Sequence, residues 1–186
     1  MFGMTPPIEK CECRGVIIYI TTVEYNGGGS SRSVAERQAV ARLIAAHFGD
    51  EVEYEHYPSG APFVRGFEKQ YISVSHCLTH AVLAVADRPI GVDAEHWRQQ
   101  LQRVASRFLQ PSETQDCSCN PERLLWYWTA KEAAFKASGQ EGLTISNIEI
   151  DLVGMCAKTI NPRAAFRLDF IERPPMLIAL ATSDAE

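Results

Sequence analysis

The chain has 186 residues, 46% of them apolar and 22% charged, and its 18 basic and 23 acidic residues leave a formal charge of −5. That composition belongs to a globular protein able to bury a core, and it argues against nonspecific nucleic-acid binding, which needs a basic surface. The longest apolar run near the start, Val16 to Ile20, is far shorter than a membrane span or the apolar core of a signal peptide, so no membrane partner and a cytoplasmic location are expected.

Residues 1–13, with Pro6 and Pro7, read as a loose start. RGVIIYITTV (14–23) is rich in β-branched residues and reads as a strand. NGGGSS (26–31) is a flexible loop, after which Ser33 is the expected cap of a helix over VAERQAVARLIAAHF, ended by Gly49. EVEYEHY, YISVS (71–75) and AVLAVA (81–86) read as strands. Asp87-Arg88-Pro89 then reads as a tight turn, making AVLAVA and IGVDAE (90–95) the clearest hairpin, with IGVDAE as a central strand. Beyond it HWRQQLQRVASRFL is amphipathic, with Trp97, Leu101, Val104 and Phe108 at helical intervals, until Pro111 stops it. A polar loop, a helix from about Pro121 through Ser138, and strands in ISNIEIDLV, AAFRLDF and MLIALAT complete the chain. The order predicts an α+β fold, divided into an N-terminal half (1–88) and a C-terminal half (89–186).

Six cysteines include the pairs CEC (Cys11, Cys13) and CSC (Cys117, Cys119). Structural zinc sites space their ligands as C-x2-4-C, and neither pair has a second half nearby, so reduced thiols are expected in preference to zinc or disulfides. His80 and His96 carry little information of their own.

Asp93 and Glu95, two apart on a strand, project from one face. A lone D-x-E is more often a solvated strand end. In WYWTAKEAAFKASG (126–139), Trp128, Glu132 and Lys136 fall at i, i+4 and i+8 on one helical face. An isolated E-x-x-x-K is ordinarily a surface pair worth about 0.2–0.5 kcal/mol, yet here it lies in line with a tryptophan, and the neighbouring alanines suggest close packing. If that helix packs on the strand, Glu132 joins Asp93 and Glu95. Three carboxylates without His or Cys suit a hard cation, Mg2+ first, completed by water and phosphate oxygens. Lys131 and Lys136 then become phosphate ligands, and His76, in SVSHC beside Ser75, a further donor to phosphate. A histidine hydrogen-bonded within its own loop fits that stretch as well.

SxSH, GVDAE and WTAKEAAFKASG, in this order and with 39 residues from Asp93 to Glu132, resemble the 4′-phosphopantetheinyl transferase superfamily, whose signature is (I/V)G(V/I)D-x-E followed by W-(T/S/C)-x-K-E-(A/S)-x-x-K. The resemblance covers about residues 60–150 and suggests a compact, two-halved, surfactin-type member, expected as a monomer with its active site between the halves. It implies Mg2+-dependent transfer of the phosphopantetheine arm of coenzyme A to a serine of an acyl or peptidyl carrier protein, releasing adenosine 3′,5′-bisphosphate. It further implies Asp93, Glu95 and Glu132 as metal ligands, and Lys136, with Lys131 second, on the diphosphate. Ser75 and His76 would hold coenzyme A phosphates, and Arg37 and Arg42 the adenosine phosphates. Glu113 falls where the family often carries an acidic residue after an RF pair.

Many members have lysine where this chain has Ala61. That departure implies either a weaker hold on coenzyme A or a substitute in Arg65 or Lys69. The serine proton would pass to Glu132 or to a water that it orients. Arg98, Arg103 and Arg107, after the D-x-E strand, are expected to dock an acidic carrier protein, unless they only solubilise their helix. A carrier or coenzyme A binder without transfer activity and a Mg2+-dependent phosphohydrolase are the alternative readings.

Overall fold

A computed structural model describes residues 5–25, 31–52, 54–160 and 162–183. Of the loop expected at 26–31, only Ser31 lies within them. The N-terminal strands are β1 (Ile8–Cys13), β2 (Val16–Thr22), β3 (Tyr54–His56), β4 (Pro62–Val64), β5 (Tyr71–His76) and β6 (His80–Ala86), and the helix α1 (Arg32–Phe48) follows β2. Then come β7 (Ile90–His96), α2 (Gln99–Val104), α3 (Pro111–Cys119), α4 (Arg123–Ser138), β8 (Ile148–Asp151), β9 (Cys156–Thr159), β10 (Ala164–Arg173) and β11 (Met176–Ser183). The fold is α+β. Both main sheets are antiparallel, ordered β1-β2-β6-β5 and β7-β11-β10-β9-β8, and β3-β4 form a separate two-stranded ribbon.

Strand alternation builds four layers. On β6, Ala81, Leu83 and Val85 face α1 and pack with Ala39, Val40, Leu43 and Ile44. Their neighbours Val82, Ala84 and Ala86, with Val16, Ile18 and Ile20 of β2, face the other way. There they meet Ile90, Val92 and Ala94 of β7 and Met176, Ile178 and Leu180 of β11. The opposite face of the second sheet packs through Ala179, Ala181 and Phe166 against Ala130, Ala133, Ala134 and Ala137 of α4. The order is therefore α1, sheet, sheet, α4, with each layer placed by the period of two along its strands.

The expected hairpin of 81–86 with 90–95 is not formed. β6 is already paired on both sides, with β2 and β5, and β7 pairs with β11, so Asp87–Pro89 carry the chain from one sheet to the next. β7 is an edge strand of the second sheet, not a central one. Its other side lies along β5, where the Ser73 and Ser75 hydroxyls accept hydrogen bonds from the Val92 and Ala94 amides at 3.0 and 3.1 Å. Serine oxygens thus stand in for ladder carbonyls between the two sheets.

Four boundaries also differ. The supposed loose start contains β1, a half-exposed edge strand joined to β2 by Arg14 and Gly15, both at positive φ (49° and 79°), as a two-residue hairpin of type I′ requires. Ser31, not Ser33, is the N-cap residue of α1. The helix after β7 ends at Val104 and tightens into a 3₁₀ turn over Ala105–Arg107. Pro111 opens α3 instead of merely stopping its predecessor: it sits in the first turn, where its missing N–H costs nothing, and Gln110 with Glu113 forms a capping box.

Candidate active site

On β7 the residues facing the inter-sheet core are Ile90, Val92 and Ala94. By alternation Gly91, Asp93 and Glu95 face α4. Gly91 makes this approach possible, because a Cβ there would stand 1.9 Å from the Ala133 carbonyl oxygen. The helix therefore lies close on the strand and brings Glu132 and Lys136 to the two carboxylates.

Lys136 Nζ donates to Asp93 Oδ1 at 2.8 Å and to the Val92 carbonyl at 3.0 Å. Asp93, 8% exposed, also accepts from the Ser75 hydroxyl at 2.9 Å. Burial pushes the Glu132 carboxyl up to about 7, reinforced by the Asp93 and Glu95 charges and opposed by Lys136. Burial likewise raises Glu95, against the His96 amide and Arg98, which lower it. The three carboxylates share one electrostatic environment that is short of positive charge.

They do not close into a ligand cage. Among the described residues, the set of Cys, His, Asp or Glu ligand atoms lying within 4.8 Å of one another is Cys77, His80 and His96. Two of the acidic side chains turn instead to cations, Asp93 to Lys136 and Glu95 to Arg98, because like charges separate where a counter-charge is at hand. The donors are nevertheless all hard oxygens, and the pressure on Glu132 to stay protonated is what a bound cation would relieve. The set fits Mg2+ chemically.

Several expected ligands have other duties. Lys131 is fully buried: its ammonium pairs with Glu113 at 2.9 Å and donates to the Ile148 carbonyl, so it is no phosphate ligand. Glu113, 2% exposed, also accepts from the Ile150 and Gln110 amides at 2.8 and 2.7 Å, tying α3 to β8 and α4. Desolvation lowers Lys131, and Glu113 counters it.

The Ser75 hydroxyl is spent on Ala94 and Asp93, which makes it a positioning group for the carboxylate, not a phosphate donor. Arg42 donates to the Pro6 carbonyl, away from the site, and Arg37 is exposed on α1. Arg98 is tied to Glu95 instead of standing free to dock a partner, whereas Arg103 and Arg107 are exposed.

His76 is exposed, with Nδ1 3.7 Å from Glu36 Oε1; Arg32 holds the same carboxylate at 2.8 Å and reaches the Leu78 carbonyl at 2.6 Å. Neither Arg32 nor Glu36 was singled out in the sequence. As the first and fifth residues of α1 they form no motif, and only the fold sets them beside the β5–β6 turn.

Beside Lys136 opens a cleft of about 760 Å³, lined by 56–63 of the β3–β4 ribbon, Glu68, 70–74, Pro89, Ile90 and 135–143 at the end of α4. This volume lies in the range of small-molecule sites. Its apolar wall includes Tyr57 and Phe63, stacked at 4.3 Å. Lys136 lines the cleft while bonding Asp93, and so joins cavity to carboxylates. Ala61 lines it as well, but Arg65, paired with Glu55 at 2.6 Å, and Lys69 do not, so neither supplies the cation that Ala61 lacks there.

Residues 89–173 match the family model described as the 4′-phosphopantetheinyl transferase superfamily. The matched span contains Asp93, Glu95, Glu132 and Lys136. Over this stretch the chain is similar to that superfamily. Among curated members it is 32% identical to the 4′-phosphopantetheinyl transferase psf-1 of Bacillus pumilus over 96 residues, 49% of this chain and 41% of that protein. It is 30% identical to a 4′-phosphopantetheinyl transferase of Bacillus subtilis over 46% of this chain and 40% of that one. With the 4′-phosphopantetheinyl transferase HetI of Nostoc it shares 30% identity over 135 residues, 65% of this chain and 57% of the relative. The chain thus spans about half the length of the curated transferases it matches. No helix among the described residues is long and apolar enough to cross a membrane.

Proposed function

We propose that this chain transfers the 4′-phosphopantetheine group of coenzyme A to a serine of an apo acyl or peptidyl carrier protein and releases adenosine 3′,5′-bisphosphate. The observation that carries the reading is the position of Lys136, which borders the cleft and bonds Asp93, inside the stretch that matches the family model. Coenzyme A would lie in the cleft, with its diphosphate at Lys136. Mg2+, held by Asp93, Glu95 and Glu132, would neutralise the diphosphate and the leaving phosphate.

The chain's own residues do the rest. Lys136 offers positive charge at the reacting phosphate, and Ser75 and the Val92 carbonyl fix the Asp93–Lys136 pair. The carrier serine hydroxyl attacks the β-phosphorus, the bond to the adenosine-side phosphate breaks, and the serine proton must leave. Glu132 is the proposed acceptor, directly or through a water it orients. Exposed Arg103 and Arg107 would meet the acidic carrier.

Incubation with coenzyme A, Mg2+ and an apo-carrier tests the reading by mass spectrometry. The expected result is a carrier heavier by one phosphopantetheine arm and lost on Asp93→Ala. Coenzyme A binding without mass gain would replace it by a binder, and carrier-independent cleavage of coenzyme A by a phosphohydrolase. Arg103→Glu is expected to raise the KM for carrier severalfold while leaving that for coenzyme A unchanged; an unmoved carrier KM retires the docking face.

A further inference from the structure

Apart from the carboxylates, one knot of side chains has no part in the chemistry above. The β5–β6 turn and the end of β7 converge so that one ligand atom each of Cys77, His80 and His96 lies within 4.8 Å of the others. Cys77 Sγ is 4.0 Å from His96 Nε2 and 3.6 Å from Met176 Sδ. Thr79 Oγ1 sits 2.7 Å from His80 Nδ1 and 3.2 Å from His96 Nε2. Cys77, His96 and Met176 are buried, and His80 is half-buried beside the exposed Leu78. His96 Nδ1 is enclosed without any hydrogen-bond partner. It lies across the ring from Nε2, the nitrogen that faces Cys77 and Thr79, so Nε2 is the candidate ligand atom.

We propose that Cys77, His80 and His96 bind a thiophilic transition-metal ion, Zn2+ foremost, with the Met176 thioether or a water in the fourth position. A thiolate, two imidazoles and a thioether form a soft to borderline donor set, distinct from the hard oxygens of Asp93, Glu95 and Glu132. Bond lengths of about 2.0–2.3 Å to nitrogen and sulfur place two ligands of one tetrahedral zinc about 3.4–3.6 Å apart. The observed 4.0 Å between Cys77 and His96 is therefore a few tenths of an ångström too wide, within reach of a side-chain adjustment. Three donors come from two segments, 77–80 and the end of β7, that belong to different sheets, so the ion would clasp the halves together. The thiol must give up its proton, which passes to solvent as the sulfur–metal bond forms. The half-buried His80 supplies the entry path. The competing account is a Thr79-centred polar knot that packs without an ion.

The two accounts separate by spectroscopy, and the test does not depend on the transfer reaction. The protein is titrated with Co2+ in buffer containing excess Mg2+, which keeps the carboxylates occupied. A thiolate-to-cobalt charge-transfer band saturating at one equivalent and bleached by Zn2+ is expected. Cys77→Ser should abolish the band. His80→Ala, at a partly exposed position that leaves the core intact, should weaken Co2+ binding at least tenfold. Asp93→Asn should leave the band unchanged. A wild-type protein with no such band at one equivalent overturns the site, and so does either cluster substitution leaving the band as it was.

Discussion

At the scale of single residues, burial decides what each ionisable group does. Glu132 keeps its proton up to about 7 in the fold, against an ordinary carboxyl value of 4.5. As pH rises past 4.5 the unfolded chain therefore releases this proton before the folded one does. Stability present below that point is lost progressively up to about pH 7, a span worth on the order of 3 kcal/mol. Glu132→Gln removes the penalty. In chelator, its melting temperature should exceed that of the parent at pH 8 and match it near pH 4, while transfer activity disappears. Calorimetry showing an equal loss at both pH values would mean that the fold does not raise the Glu132 carboxyl. Lys131, one residue earlier, teaches the opposite lesson. The motif made Glu132 and Lys136 legible through their i, i+4 spacing, but the same letters assigned Lys131 to phosphate, because nothing local reveals a partner 18 positions away on another helix. With Glu113 left as a buried charge, Lys131→Met should cost about 3–5 kcal/mol. Adding Glu113→Gln should recover part of that loss in denaturant titrations. A Lys131→Met protein of full stability but raised KM for coenzyme A would restore the phosphate role.

Elements register what single letters cannot. The alternation of β7 was readable, and with it the shared face of Asp93 and Glu95; the strand's partner was not. AVLAVA and IGVDAE are both apolar and separated by a short turn, a pattern equally suited to a hairpin or to a passage between sheets. Pairing partners are set by β2 and β11, each far away in sequence. α3 was hidden for a similar reason: a proline read as a stop is also a favoured first residue of a helix, and only the reciprocal cap between Gln110 and Glu113 separates the two. Gly91 carries the largest consequence at this scale. With a Cβ 1.9 Å from the Ala133 carbonyl, Gly91→Ala forces β7 and α4 apart. Overpacking of this kind costs about 1–3 kcal/mol or more, and here it also parts Asp93 from Lys136. A drop of several degrees in melting temperature together with loss of transfer is expected. Transfer surviving at full rate in a folded Gly91→Ala protein would show that the strand–helix spacing does not set the site.

For the whole molecule, the question is what holds two sheets in register when, among the described residues, no backbone ladder joins them. The apolar layer between them, from Val82 and Ala84 to Val92 and Ile178, supplies cohesion but little direction. Direction comes from β5 against β7, where Ser73 and Ser75 each accept an amide of the opposing strand and Ser75 also donates to Asp93. The S-x-S spacing before His76 was visible in the sequence, and its two hydroxyls fall on one strand face, yet the resemblance pointed Ser75 toward a ligand. Knowing which strand lies opposite was needed to see a joint. Replacing both serines by alanine leaves the Val92 and Ala94 amides buried without acceptors, a loss of about 1–3 kcal/mol apiece. The damage should be local: in the double variant, hydrogen exchange at Val92 and Ala94 is expected to quicken by ten- to a hundredfold, with amides in the middle of β6 slowed as in the parent. Because Asp93 loses an anchor in the same step, transfer should slow with Ser75→Ala and hold with Ser73→Ala. Unchanged exchange at both amides would assign the register of the halves to the apolar layer alone.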